Sequence, residues 1–273
     1  MKKQIRSILA ISLICILSFC IYNIYIINND YNIAKEEYES LSQSFTNEST
    51  EVIVNDKENI PSNTIKEEPI TNQENNDDKL SQENNLLELK VIDFNSLTSL
   101  NSDIIGWITI PGTKIDYPIL HSNDNKEYLH LTFLKEESSS GSIFVDKNNS
   151  GNFSDYNTII YGHNMKNGSM FSLLKSYKDE EFYKQNKYIQ IYTPESSNNY
   201  KIISCYETYD TSDSYNIDFS SLTEYEKWLQ EISNKSDYKT ENYDFNKNTI
   251  TLSTCIGASG QRYRWVVHLQ KVY

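Results

Sequence analysis

The sequence has little of the residues that define several protein classes. Its 273 residues include only eight glycines, five prolines and four cysteines. These numbers exclude collagen-like and proline-rich architectures, and they are too low for a scaffold held together by disulfides. Basic residues are also scarce, with 25 Lys and Arg against 38 Asp and Glu. The net charge of −13 argues against a nucleic-acid-binding protein, because phosphate recognition needs a surplus of cations.

The sequence has one long apolar run, and it lies close to the N-terminus. Residues 7–27 carry no charge and are mostly Ile, Leu, Phe, Tyr and Cys, whereas Lys2, Lys3 and Arg6 precede them. An α-helix of this length matches the roughly 30 Å hydrocarbon core of a bilayer. The basic residues on its N-terminal side predict a cytoplasmic N-terminus and an exported remainder. We therefore expect a single-pass protein of the cell membrane, anchored through residues 7–27, with an extracellular domain.

A cleaved signal peptide and a lipoprotein signal are the alternatives to this anchor. A cleaved signal has a shorter apolar region that ends in small residues, whereas Phe19, Tyr22, Asn23 and Tyr25 occur here. A lipoprotein signal at Cys20 is disfavoured by the bulky Phe19 directly before it. The sequence thus favours an uncleaved anchor in residues 1–27.

An acidic stretch follows the apolar run. Residues 28–85 contain 14 acidic residues and four lysines, a net charge of −10. They are rich in Asn, Ser, Thr and Glu and almost free of aromatic residues after Tyr38. Low hydrophobicity with high net charge is typical of segments that do not repay the entropy cost of folding. We predict a largely disordered spacer that holds a globular domain away from the membrane, with a helix through residues 31–45 as an alternative nearest to the membrane.

Residues 86–273 remain as one globular domain of 188 residues, long enough for its own hydrophobic core. Apolar residues in 86–100 recur partly at helical spacing, and eight short β-rich runs follow. The predicted strands are 106–110, 115–120, 142–145, 158–161, 188–193, 201–209, 249–254 and 265–272. The predicted helices are 169–177, 179–186 and 222–233. Many short strands separated by turns indicate a β-barrel or β-sandwich that carries inserted helices.

Two cysteines lie in the predicted domain, Cys205 and Cys255. The exported location permits a disulfide between them, and a catalytic thiol is the alternative. Cys255 ends a β-rich run and precedes a loop of mostly small and polar residues, 256–261. Cys205 lies in the middle of a predicted strand, which is typical of a small buried hydrophobic residue. The local sequence therefore favours Cys255 as a nucleophile.

A nucleophilic thiol needs a base or a cation near it. Among the four histidines, His163 follows strand 158–161 and begins a turn after Gly162. That position either brings an imidazole to a rim of the domain or merely caps a loop. Arg262 and Arg264 follow the cysteine loop, and a guanidinium there can hold a substrate carbonyl or an oxyanion. Spacing alone does not choose between the two arginines.

Five sequence blocks resemble those of the class B sortases, the membrane-anchored cysteine transpeptidases of Gram-positive bacteria. Residues 251–255 (TLSTC) match the TLxTC nucleophile motif of that family, and residues 160–165 (IYGHNM) match the block with the catalytic histidine. Residues 264–268 (RWVVH) resemble the R-x-V-V-H ending of class B members. Residues 105–113 and 141–146 match two further blocks. The order of the five blocks is that of the family.

The resemblance, which covers residues 86–273, implies a fold and a catalytic set. The implied fold is mainly β: a closed eight-stranded barrel of the sortase type with an N-terminal helix and a helix, here 222–232, inserted before the last two strands. The implied catalytic residues are Cys255 as the nucleophile, His163 as the general acid and base, and Arg264 as the cation. No metal and no cofactor is implied.

Substrate contacts follow from the resemblance residue by residue. An N-x3-L element, a T-x3-Y element and the residues beside the catalytic pair match the family. The implied contacts are Asn125, Leu129, Tyr161, Thr211, Tyr215, Ser253 and Thr254. One feature departs from the family, because some class B members have acidic residues directly after the cysteine, whereas Ile256 and Gly257 are neutral here. No carboxylate role is transferred to these two positions.

The implied activity is transpeptidation. The resemblance implies cleavage of an Asn-Pro-x-Thr-x-like sorting motif at the threonine carbonyl through a thioester, followed by transfer to a peptidoglycan amine. The implied partners are surface proteins with sorting signals, the wall amine and the membrane, and not nucleic acid. A pilin-polymerising sortase and a catalytically silent, membrane-tethered binding module are the alternatives. A papain-like peptidase fits less well, because its cysteine normally lies near the start of the domain, whereas Cys255 lies near the end.

Overall fold

The chain begins with a long helix. A computed structural model describes residues 2–48, 89–256 and 261–272. Its first element, α1 (Lys2–Phe45), has 44 residues and is about 66 Å long at 1.5 Å per residue. Among the described residues, α1 is the one helix that is long and apolar enough to cross a membrane.

Two short strands flank residues 49–89, which include most of the acidic stretch. β1 (Thr46–Glu48) follows α1 directly and pairs antiparallel with β2 (Lys90–Ile92). Glu48 and Lys90 are register partners. The described residues on either side of the gap at 49–88 therefore lie next to each other. The disorder predicted for residues 49–85 lies outside the described residues.

Three shorter α-helices lie further along the chain. They are α2 (Phe94–Leu100), α3 (Glu180–Gln185) and α4 (Leu222–Ser233). α2 is capped by Asp93, whose carboxylate accepts a hydrogen bond from the backbone N–H of Ser96. Helix was predicted at residues 169–177, and the structure has a 3-10 helix there, Phe171–Lys178.

Eight further strands form a closed barrel. They are β3 (Ile104–Thr109), β4 (Asp116–His121), β5 (Ile143–Val145), β6 (Asn157–Tyr161), β7 (Tyr188–Tyr192), β8 (Ser197–Tyr209), β9 (Thr249–Cys255) and β10 (Tyr263–Lys271). Their order around the barrel is β10-β8-β7-β3-β4-β5-β6-β9, and β9 closes the barrel by pairing with β10. Most pairs are antiparallel, but β4–β5 and β6–β9 are parallel. The predicted closed eight-stranded barrel is confirmed.

Side chains on β6, β9 and β10 alternate between the barrel interior and an outward face, as strand geometry requires. Ile160, Leu252 and Val267 belong to the main core inside the barrel, together with the fully buried Trp107. The residues of opposite parity form the outward face. In register, they include Tyr161 opposite Ser253, Ser253 opposite Val266, and Cys255 opposite Arg264.

α4 covers one end of this outward face. Its buried residues recur at the spacing of one helix face, and they are Tyr225, Trp228, Leu229 and Ile232. They pack with Tyr206 of β8 and Val266 of β10 in a second hydrophobic cluster. The helix confirms the prediction of a helical insertion before the last two strands. The other end of the outward face carries Cys255 and Arg264.

One side of α1 packs against the barrel. Ala34, Tyr38 and Leu41 are buried, and their spacing sets them on one face of the helix. The Tyr38 hydroxyl donates a hydrogen bond to the Gly141 carbonyl at 2.8 Å, and its ring packs edge-on against Tyr117. The start of the predicted spacer is therefore a helix that contacts the domain, and it does not hold the domain at a distance.

Candidate active site

Two parallel strands bring the predicted nucleophile and base to one edge of the barrel. β6 and β9 are parallel, with Tyr161 opposite Ser253. His163 lies two residues after Tyr161, just beyond the end of β6, and Cys255 lies two residues after Ser253, at the end of β9. Because parallel strands end at the same edge of a sheet, both side chains start from that edge. Each of the two residues is partly exposed.

Hydrogen bonds fix the His163 loop against the cysteine strand. Before His163, the Gly162 carbonyl accepts a hydrogen bond from the Thr254 hydroxyl at 2.8 Å. After it, the side-chain amide of Asn164 donates to the carbonyl of Cys255 at 2.8 Å. His163 is thus held from both sides by bonds to the last two residues of β9.

Gly162 permits this close packing. A Cβ atom at this position would lie 2.5 Å from Cδ1 of Ile143 and 2.7 Å from the ring of Phe171. Both neighbours are fully buried, so neither has room to move aside. A glycine before the histidine is therefore a steric requirement of the loop.

One ring nitrogen of His163 has a backbone partner. Nε2 lies 2.8 Å from the carbonyl oxygen of Leu129. A carbonyl oxygen only accepts, so Nε2 carries a hydrogen and donates it. Nδ1 is then the nitrogen that gains and loses a proton. Leu129, predicted as a substrate contact, thereby also orients the imidazole through its main chain.

Arg264 lies directly opposite Cys255 across the β9–β10 pair. Its Nη1 donates to the carbonyls of Gln261 and Tyr263 at 2.8 and 2.9 Å. Its Nη2 lies 3.5 Å from the carboxylate of Asp210. Among the described residues, these contacts use three of the five N–H groups of the guanidinium. The Arg264 guanidinium is therefore held in one place. Part of its capacity to donate hydrogen bonds remains unused by these contacts.

Arg262 lies outside the strand, one residue before β10 begins. Its side chain is 61% exposed, compared with 22% for Arg264, and Nε donates to the Asp210 carboxylate at 2.9 Å. The structure therefore separates the two arginines that spacing alone left open. Arg264 faces the cysteine, and Arg262 is a surface residue that shares the same carboxylate.

Two tyrosines border the site. The Tyr215 hydroxyl lies 2.7 Å from Oγ of Ser253, and its ring stacks on Tyr161 with centroids 6.4 Å apart. Burial raises the pKa of Tyr215 to about 12, against the opposing effect of the Arg264 charge. The tyrosine is therefore a neutral hydroxyl near neutral pH, beside the cation and the thiol of Cys255.

Comparisons with known proteins show the family of this chain. A family model described as a sortase domain matches residues 108–272, which is more than half of the chain. The chain belongs to the class B sortases. Sortase B of Listeria monocytogenes is 43% identical over 162 residues, 58% of this chain and 65% of the relative, so the match spans just under two thirds of that protein. Sortase B of Staphylococcus aureus is 34% identical over 181 residues, 66% of this chain and 74% of the relative.

Solved sortase structures have the same fold. Clostridium perfringens sortase B is 37% identical, with a TM-score of 0.61, over 66% of this chain and 99% of that one. A Staphylococcus aureus sortase B–substrate complex is 34% identical, with a TM-score of 0.62, over 66% of this chain and 84% of that one. The family is one of cysteine transpeptidases, and this sortase has a cysteine, a histidine and an arginine at one barrel edge.

Asn125 reaches the site of this sortase through a carboxylate that the sequence reasoning missed. Its amide donates to Asp146 at 2.8 Å, and the Tyr161 hydroxyl donates to the same oxygen at 3.0 Å. Burial first, and then the Asp146 charge, raise the pKa of Tyr161. Asp146 is buried at the end of β5. Asp146 is the last residue of the matched block 141–146. The block therefore pointed to this position, but nothing in the sequence indicated a role for its carboxylate.

Two predicted substrate contacts have different environments. Thr211 is exposed in the loop after β8. Thr254 is only 2% exposed, and its hydroxyl is used by Gly162. Thr254 therefore supports the histidine loop through its hydroxyl, and its assignment as a substrate contact stays a prediction.

The two domain cysteines are both free thiols, so the disulfide considered above does not form in this structure. Cys205 is buried, with its sulfur 3.0 Å from the hydroxyl of Tyr238. Burial raises the pKa of the Cys205 thiol to about 11. Cys205 is thus the protonated, buried residue that its mid-strand position predicts, and Cys255 is the accessible thiol.

A chain of buried polar groups lies under α4, on the same outward face. His268 is fully buried, with Nδ1 2.9 Å from the Thr251 hydroxyl and Nε2 3.0 Å from the Tyr206 hydroxyl. The Tyr206 hydroxyl is 2.8 Å from Oγ of Ser214, next to Tyr215 in the 3-10 helix Asp213–Tyr215. Burial, assisted by the Lys235 charge, lowers the pKa of His268 to about 3. The network contains a neutral imidazole, and it anchors the segment that carries Tyr215.

Three residues of the site were not predicted from the sequence. They are Asp146, Asn164 and Asp210. Asn164 adjoins the histidine within a matched block, so its position was a usable signal. Asp210 had no such signal, because its two arginine partners lie more than 50 residues further along the chain.

Proposed function

We propose that this sortase cleaves a C-terminal sorting motif at a threonine carbonyl and transfers the protein to an amine of the cell wall. The observation that carries the proposal is the pairing of Cys255 with Arg264 across two strands, beside the anchored His163 loop. This arrangement supplies a nucleophile, an oxyanion-binding cation and a proton carrier at one edge.

The first half of the reaction forms a thioester. The Cys255 thiolate attacks the threonine carbonyl carbon, a C–S bond forms, and the carbonyl oxygen becomes an oxyanion. The guanidinium of Arg264 donates hydrogen bonds to that oxygen. Collapse of the intermediate breaks the C–N bond, and Nδ1–H of His163 protonates the leaving amine. The C-terminal fragment of the substrate leaves.

The second half transfers the acyl group. An acceptor amine attacks the thioester carbon, and Nδ1 of His163 takes the proton that this amine loses. The C–S bond breaks, a new amide forms, and the Cys255 thiolate and protonated His163 are restored. Both half-reactions balance without a metal or a cofactor.

Similar proteins support the two substrates. One solved structure is a Staphylococcus aureus sortase B–substrate complex, and another is a sortase B complexed with triglycine, a peptide with a free amine. For this chain we propose an Asn-Pro-x-Thr-x-like motif on surface proteins and a peptidoglycan cross-bridge amine or diaminopimelate as the acceptor. The motif would lie along a surface formed by Asn125, Leu129, Tyr161, Thr211, Tyr215 and Ser253.

The apolar part of α1 supports a membrane anchor. Residues 7–27 would span the bilayer, with the N-terminus in the cytoplasm and the barrel outside. The proposed organisation is an anchor in residues 1–27, an acidic stretch in 28–85 and a catalytic domain in 86–273. The helical packing of Ala34 and Tyr38 joins the beginning of the acidic stretch to that domain.

A peptide-library assay tests this function. The full chain in detergent is incubated with a library of pentapeptide sorting motifs, with and without triglycine or diaminopimelate, and the products are identified by mass spectrometry. We expect cleavage after threonine and an amine-dependent product, and neither with Cys255→Ala. Hydrolysis at another residue would contradict the proposed specificity. The absence of both cleavage and a Cys255 adduct would instead favour a binding module.

A further inference from the structure

The first contact between α1 and the barrel lies very close to the end of the apolar run. The run ends at Ile27, and the carboxylate of Asp30 accepts hydrogen bonds from the backbone N–H of Ser139, at 3.2 Å, and from its hydroxyl. α1 is continuous between these positions. Three residues of helix correspond to about 4.5 Å.

Further contacts continue along the helix. The Glu37 carboxylate accepts from the backbone N–H of Leu134 at 3.0 Å, and Ser42 donates to the carboxylate of Asp116 at the start of β4. With the buried Tyr38 between them, these contacts fix one side of α1 from Asp30 onward. From Asp30 to Ser42 the helix rises by about 18 Å. Contacts spread over this length hold the barrel in one orientation relative to the helix axis.

In sequence, residues 49–89 do not separate the apolar run from the α1 residues that contact the barrel. They follow β1 and precede β2, and these two strands pair with each other. All of α1 precedes them in the chain. The connection from the apolar run to the barrel is therefore helix alone.

We infer that the barrel lies directly on the phospholipid headgroup layer, with the turn around Ser139 in contact with it. The polar region of a bilayer is roughly 5–8 Å thick on each side of the hydrocarbon core, and the contact at Asp30 lies within that distance of the core. The same turn carries the exposed charged residues Lys135, Glu136 and Glu137, which suit a polar layer and not the hydrocarbon. This inference rests on the proposed membrane anchor.

The placement has a consequence for catalysis. The segment 129–140 contacts α1 through Leu134 and Ser139, and it contacts the catalytic histidine through the carbonyl of Leu129. The histidine is thus joined to the anchor by one short segment of chain. The active site is therefore held at a fixed height above the bilayer.

A quenching experiment tests the placement with the full chain in vesicles of phosphatidylcholine and phosphatidylglycerol. Cys15, Cys20 and Cys255 are replaced by alanine, and a fluorophore is attached to Ser139→Cys or to Lys114→Cys. Lys114 is exposed and lies two residues before Asp116, about 20 Å above the end of the apolar run along α1. With a headgroup spin-labelled lipid, the Ser139 probe should lose most of its fluorescence and the Lys114 probe almost none.

Two outcomes would overturn the inference in different ways. Equal quenching of both probes in a chain that floats with the vesicles would exclude the fixed placement and leave the proposed function intact. Failure to float would exclude the membrane anchor as well. A second measurement avoids reliance on the single probe: a short thiol crosslinker should join Asp30→Cys to Ser139→Cys in vesicles, but not Asp30→Cys to Lys114→Cys. Absence of the first crosslink would also overturn the inference.

Discussion

The two ends of one sheet face have opposite chemistry. At the closed end, under α4, Asn157, Thr251 and His268 are fully buried, and each has hydrogen-bond partners. At the open end, Cys255 and Arg264 are partly exposed. Both ends are built from the same strands and the same side-chain parity. The position of α4 therefore decides which polar residues of this face are buried and which are accessible at the proposed active site.

The comparison also explains why each end needs the other. The buried network anchors the 3-10 helix that carries Tyr215, and Tyr215 borders the open site through Ser253. Burial there suppresses ionisation, which is the reverse of what a nucleophile and its base require. The closed end supplies rigidity, and the open end carries the groups that we propose react.

The largest loss of activity should come from removing the partly exposed thiol of Cys255. Cys255→Ala should abolish turnover, because no other described group at this edge can form the thioester. Cys205→Ala is the matched control, and it should retain activity because that thiol is buried within the barrel. Peptide cleavage by the purified full-length variants measures both. The reverse pattern would mean that burial does not separate the reactive from the structural thiol.

Removal of the His163 imidazole should cause the second largest loss of activity. His163→Ala should lower kcat/KM by about 100-fold or more, since general acid–base catalysis is typically worth 10²–10⁴-fold. His130→Ala is the control, because His130 is an exposed histidine in the segment that contacts α1. Steady-state kinetics at neutral pH measures the loss. Near-normal rates for His163→Ala would exclude the proposed proton transfer at Nδ1.

The arginines test whether strand position matters more than charge. Arg264→Ala should lower kcat/KM by about 100-fold or more, because loss of one oxyanion donor costs about 3 kcal/mol. Arg262→Ala should lower kcat/KM by less than about tenfold, since the Arg262 side chain is exposed, pairs with Asp210 and is not proposed to bind the oxyanion. Arg264→Lys should recover little, because lysine lacks the planar fork. A larger defect for Arg262→Ala in the same assay would reverse the assignment.

The arginine pair also marks the limit of what the sequence predicts. Arg262 and Arg264 have the same parity, so alternation does not separate them. What separates them is that β10 begins at Tyr263 and that its register pairs Arg264 with Cys255. The register of β9 against β10 depends on the closure of the whole barrel, so the local sequence does not predict it. The strands themselves were predictable, because short β-rich runs and turns are local features.

The α1 contact was missed for a different reason. Ala34, Tyr38 and Leu41 form a visible helical stripe, but the composition of the whole acidic stretch outweighed three residues. Asp146 and Asp210 were missed because their value lies in partners that only folding brings near. Family motifs indicated the residues proposed to react, and they did not indicate the residues whose hydrogen bonds hold them in place.

The smallest effect on activity, and the sharpest test of the closed end, concerns His268. Its folded pKa of about 3 lies below the ordinary value of 6.5. Between these values the unfolded chain binds a proton that the folded chain does not bind, so the free energy of unfolding should fall as the pH falls. The slope from this one group is at most about 1.4 kcal/mol per pH unit. The slope from this group is half of its maximum at pH 6.5, where the unfolded imidazole is half protonated, and it vanishes above about pH 8.

His268→Gln keeps hydrogen-bonding groups at this position and removes the titration. The variant should retain activity at neutral pH, because His268 contacts Thr251 and Tyr206 and lies under α4, away from the open end. Urea unfolding of the full chain in detergent, followed between pH 4 and pH 7, should show a shallower dependence of the free energy of unfolding on pH than in the natural chain. His130→Gln, which removes an exposed histidine outside the network, is the control. Any loss of packing in His268→Gln lowers stability at every pH, whereas the proton linkage changes only the slope. An unchanged slope would mean that this imidazole is not kept neutral by burial, and the contrast between the closed and the open end would then lose its electrostatic basis.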